Sequence, residues 1–71
     1  MVLTPISSSH LLAAGYDSTT RTLSVQFKGG EIYQYFEVPG SIYEEMVRAQ
    51  PHPWSAVNRT LRAGYAYRRL S

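Results

Sequence analysis

The stretch TLSVQFKGGEIYQYFEV, residues 22–38, constrains the fold of this chain more than any other. Leu23, Val25 and Phe27 alternate with Thr22, Ser24 and Gln26, the period-two pattern of a half-buried strand. Lys28-Gly29-Gly30 then turns the chain, because glycine reaches positive φ at no steric cost. Residues 31–38 follow as the partner strand of an antiparallel hairpin. That partner is unusual, because both of its parities are apolar or aromatic. Ile32, Gln34, Phe36 and Val38 share one face, and Tyr33, Tyr35 and Glu37 share the other.

Loop length decides which of these faces meets the core. A two-residue loop at Gly29-Gly30 sets Phe27 against Ile32, Val25 against Gln34 and Leu23 against Phe36. The aliphatic face is then continuous, and the tyrosines lie outside. A three-residue loop, Lys28-Gly29-Gly30, sets Val25 against Tyr33 and Leu23 against Tyr35, and the tyrosines become core. One residue of slip inverts the whole set. Each register has a cost, since the first buries Gln34 and the second exposes Ile32 and Phe36. Both faces are therefore expected to be partly covered, with the tyrosine hydroxyls reaching outward.

The other elements follow from their own patterns. Residues 1–7 read as a lead-in that Pro5 keeps irregular, and 8–70 as the folded core of a single domain. SHLLAAGY (9–16) is a short strand stopped by DSTT. Pro39-Gly40 ends the hairpin, and Ser41 with Glu44 has the spacing of a capping box. Ile42, Met46 and Ala49 recur at near-helical spacing up to about Gln50, where PHP (51–53) stops the helix. Pro53 opens a second helix with Trp54, Val57 and Leu61 on one stripe, and Gly64 is placed to close it in a left-handed conformation. YAYRRL (65–70) is a final strand. The order β-β-β-α-α-β describes an α+β domain. Its small, strongly bent antiparallel sheet would suit an Sm-like or SH3-like partial barrel.

Seventy-one residues hold one small core and leave a thin margin of stability. No cysteine is present to add disulfides or thiolate metal sites. Six Tyr, two Phe and one Trp must supply much of the burial, with Trp54 the expected anchor. Homo-oligomerisation through sheet edges is the other remedy for so small a core. No apolar run approaches membrane-spanning length, and MVLTPISSSHLLAAGY lacks the basic and apolar regions of a signal peptide. The expectation is a cytoplasmic protein with no membrane partner.

The net charge of +2 hides an asymmetry. Residues 1–50 carry Asp17, Glu31, Glu37, Glu44 and Glu45 against Arg21, Lys28 and Arg48, a balance of −2. Residues 51–71 carry Arg59, Arg62, Arg68 and Arg69 and no acid, a balance of +4. Such a one-signed segment points to an anionic partner or to a solvated basic face. On the last strand Tyr65, Tyr67 and Arg69 share a side. Beside Tyr33 and Tyr35 they would make a ribbon of phenol rings and guanidinium groups, the chemistry that stacks bases and holds phosphates of single-stranded RNA. Packing alone also accounts for Y-x-Y on a strand. Catalysis finds little support. His10 and His52 lack ligand-like spacing to acids, and SSSH with Asp17 lacks the strand-turn-helix elbow of a nucleophilic serine. Glu44 and Glu45 point in adjacent directions and read as solvated or capping acids. No cofactor or metal is implied.

In order and spacing, GYD (15–17), L-x-V-x-F (23–27), Y-x-Y (33–35), VP (38–39), IYEEMVRA (42–49), Asn58 and the closing Y-x-Y (65–67) resemble the KTSC domain. That family is named for its occurrence at the C-terminus of some lysyl-tRNA synthetases, and it also occurs as stand-alone small proteins. The likeness covers about residues 5–69 and departs at QPHPW (50–54), where a turn containing serine and glycine is expected. The residues themselves argue for a non-catalytic module, and what the resemblance adds is RNA binding, suggested by the synthetase fusion. Tyr33, Tyr35, Tyr65 and Tyr67 would stack bases, and Arg59, Arg62, Arg68 and Arg69 would take phosphates. The alternative is a protein-interaction module docking on a larger complex through the same aromatic face.

Overall fold

The computed structural model describes residues 3–70. The chain runs β1 (Thr4–Pro5), β2 (Leu11–Asp17), β3 (Thr22–Phe27), β4 (Ile32–Tyr35), α1 (Gly40–Arg48), α2 (Pro53–Gly64) and β5 (Tyr67–Arg69). The five strands form one antiparallel sheet in the order β1-β2-β3-β4-β5. The sheet is open, with β1 and β5 at its edges, and is not a closed barrel. The α+β class and the order of the six expected elements stand.

The three-residue loop is the one adopted. The Gly30 N–H donates to the Phe27 carbonyl at 2.9 Å, and the Phe27 N–H donates to Glu31 at 2.8 Å. Gly30 takes φ 100°, so the turn closes on a left-handed glycine and leaves Gln26 opposite Ile32. Val25 therefore faces Tyr33, and Leu23 faces Tyr35. The side of the sheet bearing Leu23, Val25 and Tyr35 packs under the helices with Met46, Trp54, Val57 and Leu61. Each fully buried aliphatic side chain there contributes about 1.5–3 kcal/mol over leaving it in water. β4 stops at Tyr35 rather than running on to Val38. Glu37 adopts φ 56°, and past that kink Val38 drops into the core despite its strand parity.

Several local expectations give way. Thr4–Pro5, placed in the irregular lead-in, pairs with Ala13 and Ala14 as an edge strand. Proline is tolerated at an edge because it removes a ladder donor that an edge can spare. Residues 1 and 2 of that lead-in lie outside the described residues. The Ser41–Glu44 capping box does not form. Helix α1 begins two residues earlier, with Pro39 at its N-cap and no side-chain cap bond, and Ser41 already lies inside the helix. Glu44 instead reaches Arg48 at 4.0 Å on the exposed surface. Gly64 remains helical, and Tyr65, in extended conformation, ends α2. Tyr65 and Ala66 precede β5 instead of belonging to it. Between the helices, the His52 N–H donates to the Ala49 carbonyl at 2.7 Å. Among the described residues no helix is long and apolar enough to cross a membrane.

Candidate nucleic-acid interface

The β4–β5 pairing sets Tyr35 opposite Tyr67, Gln34 opposite Arg68 and Tyr33 opposite Arg69. Because side chains alternate along a strand, Tyr33, Tyr35, Tyr67 and Arg69 share the helix-facing side of the sheet, and Arg68 points to the other. The rings form a continuous chain. Tyr67 lies 5.8 Å from both Tyr33 and Tyr35, Tyr33 meets Phe27 edge-on at 5.6 Å, and Phe27 meets Trp54 at 5.0 Å. The chain runs from buried to exposed. Tyr35 is 4% exposed and Trp54 9%, Tyr33 is half-buried, and Tyr67 is 61% exposed.

Burial pushes the Tyr35 phenol above its ordinary pKa, the neighbouring Tyr33 adds to that shift, and the Arg62 guanidinium opposes it. Arg62 is thus close enough to the ring cluster to act on it electrostatically. Arg59 and Arg62 sit three residues apart on α2, hence on one side of the helix, and both are exposed. The arrangement therefore gathers Tyr33, Tyr35, Tyr67, Arg69 and Arg62 at the β4–β5 edge, with Arg59 a turn away. It does not gather Arg68, which shares the far face with Gln34, nor Tyr65, which is half-buried against the core. The sequence pattern of Phe27 and Trp54 announces packing alone; the ring contacts add that Phe27 supports Tyr33 and Trp54 supports Tyr35.

The residue types of a triad do not converge. Ser9 and His10 are exposed sequence neighbours, 3.1 Å apart from Oγ to Nδ1. Asp17 lies at the opposite end of β2, roughly 20 Å along the strand. Among the described residues no cluster of three His, Asp or Glu side chains is placed to hold a metal.

A five-stranded open meander under two consecutive helices, with a partly exposed ring chain at one edge, defines a small α+β domain. Its sequence matches the KTSC domain model over residues 7–65, and the chain belongs to the KTSC domain family. Tyr67, Arg68 and Arg69 lie beyond the matched span. The chain is similar to the crystal structure of a KTSC domain protein from Yersinia pestis, with a TM-score of 0.85 and 28% identity, covering 99% of this chain and 97% of that one. It is 39% identical over 46 residues to a protein of Tsukamurella paurometabola, covering 65% of this chain and 69% of that protein. It is also 36% identical over 56 residues to a lysine–tRNA ligase of Trichormus variabilis, covering 79% of this chain. A lysine–tRNA ligase of a Nostoc species is 35% identical over 63 residues, covering 89%. The chain spans only 10% and 11% of those two ligases.

Proposed function

We propose that this domain is a small non-catalytic module that binds single-stranded RNA along the β4–β5 edge. The exposed ring of Tyr67 and the half-exposed ring of Tyr33 offer stacking surfaces for bases, and Arg69, Arg62 and Arg59 take the phosphates. Tyr35 lies beneath as a rigid support. The observation that carries the reading is the Tyr33–Tyr67 ring pair with Arg69 directly opposite Tyr33. Rings fixed by packing and set beside guanidinium groups bind a flexible strand without first having to be ordered. Occurrence of similar segments in two lysine–tRNA ligases supports an RNA context but does not by itself transfer it.

The test is a fluorescence-anisotropy titration of a labelled single-stranded RNA. Binding at micromolar protein in low salt, weakening steeply as salt rises, is expected. Absence of binding in low salt overturns the reading. Nuclease-resistant capture of a protein partner, lost on Tyr67→Ala, would replace it with protein docking through the same rings.

A further inference from the structure

The face of the sheet turned away from the helices carries a second, distinct feature. Gly15, Ser24, Gln34 and Arg68 form one cross-strand row through β2, β3, β4 and β5. Asp17 and Thr22 pair in the next row on the same face, beside Phe36. The core cluster draws its β3 and β4 residues from the opposite parity. Ser24 is nevertheless only 4% exposed. A serine that buried, on a face without helices, has to sit at the bottom of a depression. The depression holds about 450 Å³, and Gly15, Asp17, Thr22, Ser24, Gln34 and Phe36 are among its lining residues. Ligand sites commonly hold about 300–1,000 Å³.

Its walls are pre-set. The Asp17 Oδ1 accepts from the N–H groups of Thr19 at 2.9 Å and Thr20 at 3.4 Å, and the Thr20 hydroxyl donates to Thr22 Oγ1 at 3.0 Å. The Val38 N–H donates to the Arg21 carbonyl at 2.9 Å, which ties this loop to the segment after β4. Chemically, the lining offers the half-buried aromatic residues Tyr16 and Phe36, an amide, hydroxyls and a carboxylate, and no cation is among the lining residues. A phosphate placed within would meet Asp17 without compensation. A neutral, flat, hydroxyl-bearing ligand fits better. Asp17 and Phe36 lie two strand spacings apart, about 10 Å, with Gln34 beside Phe36.

We propose that this depression binds an adenine nucleoside group, with the base against Phe36, its N6/N7 edge at the Gln34 amide and the ribose hydroxyls toward Asp17 and Thr22. Glutamine reads adenine in this way, and an acidic side chain holds a ribose diol. The proposal does not rest on the RNA reading, which concerns the opposite face.

Amide-resolved NMR titration with adenosine tests it, with glucose as a polyol control and thermal melts to verify folding of each variant. Adenosine should shift the Gly15, Thr22 and Ser24 amides and the Gln34 side-chain amide. Phe36→Ala and Gln34→Leu should each weaken binding about tenfold, the size of one lost stacking or edge contact. RNA binding, where present, should be unchanged by Gln34→Leu. If Phe36→Ala fails to fold, Gln34→Leu decides alone. No shift up to the solubility limit of adenosine, equal shifts with glucose, or shifts confined to the Tyr33–Tyr67 side would each overturn the proposal.

Discussion

Tyr35 pairs with Leu23 across the β3–β4 ladder, and through that one pairing the tyrosine face of the hairpin becomes core. The same register raises the opposite parity of β4, with Gln34, onto the side without helices. A single structural choice thus creates both the ring chain at the β4–β5 edge and the polar depression behind it.

Stability should fall in alkali because of Tyr35. Its phenol titrates above the unfolded value of 10.0. Below that value both states keep the proton, and the pH has no leverage through this group. Above it the unfolded chain releases its proton first, so the folded state loses ground as pH rises toward the folded value. Urea midpoints measured between about pH 9 and pH 11 should drop, and Tyr35→Phe should flatten that drop. An identical pH dependence in the variant would remove Tyr35 as the cause.

Gly30 should be the costly glycine of the hairpin. A Cβ there would meet nothing within 4 Å, so any cost comes from the backbone at φ 100°. Gly30→Ala should lose about 1–2 kcal/mol, which is about 4–8 °C of Tm per kcal/mol in a domain this small. Gly30→Asn should lose less, since asparagine tolerates the left-handed region. Scanning calorimetry reads both.

Ser41→Ala should be nearly silent. A working N-cap serine is worth about 1 kcal/mol, but Ser41 lies inside α1 and makes no cap bond. A change within about 0.5 kcal/mol in urea unfolding is expected. A larger loss would mean that the capping box forms in solution.

The two neighbouring arginines of β5 should separate in RNA binding. Arg69→Ala should reduce the slope of log affinity against log salt by about 0.7, one single-strand phosphate contact. Arg68→Ala, on the far face, should leave that slope unchanged. Tyr67→Ala should weaken affinity about tenfold by loss of one stacked base. Equal effects of Arg68→Ala and Arg69→Ala would argue for diffuse electrostatic attraction rather than a strand laid along one edge.

Much of this was legible in the residues because it is periodic. Leu23, Val25 and Phe27 announce a strand, and Trp54, Val57 and Leu61 announce a buried helical stripe. Elsewhere, context overrides local chemistry. Pro5 argues against a regular element, yet an edge strand accepts it. Ser41 and Glu44 have capping spacing, yet the helix begins two residues earlier. Gly64 has the composition of a left-handed stop, yet the chain leaves α2 through an extended Tyr65. Of the candidate site, the Tyr33–Tyr67–Arg69 grouping could be inferred from parity once β4 and β5 were neighbours. The depression around Ser24 has no such signal, although Gly15, Asp17, Thr22, Ser24 and Gln34 lie on one parity of three consecutive strands.

The order of the six elements from β2 to β5, the apolar stripes of β3 and α2 and the concentration of positive charge after residue 50 were set by the sequence alone, because each depends on spacing or composition within a few turns of chain. The hairpin register, the recruitment of β1 and the division of Arg68 from Arg69 belong to the tertiary structure. They hinge on one left-handed glycine and on pairings between distant segments, and a shift of one residue there carries every side chain to the other face.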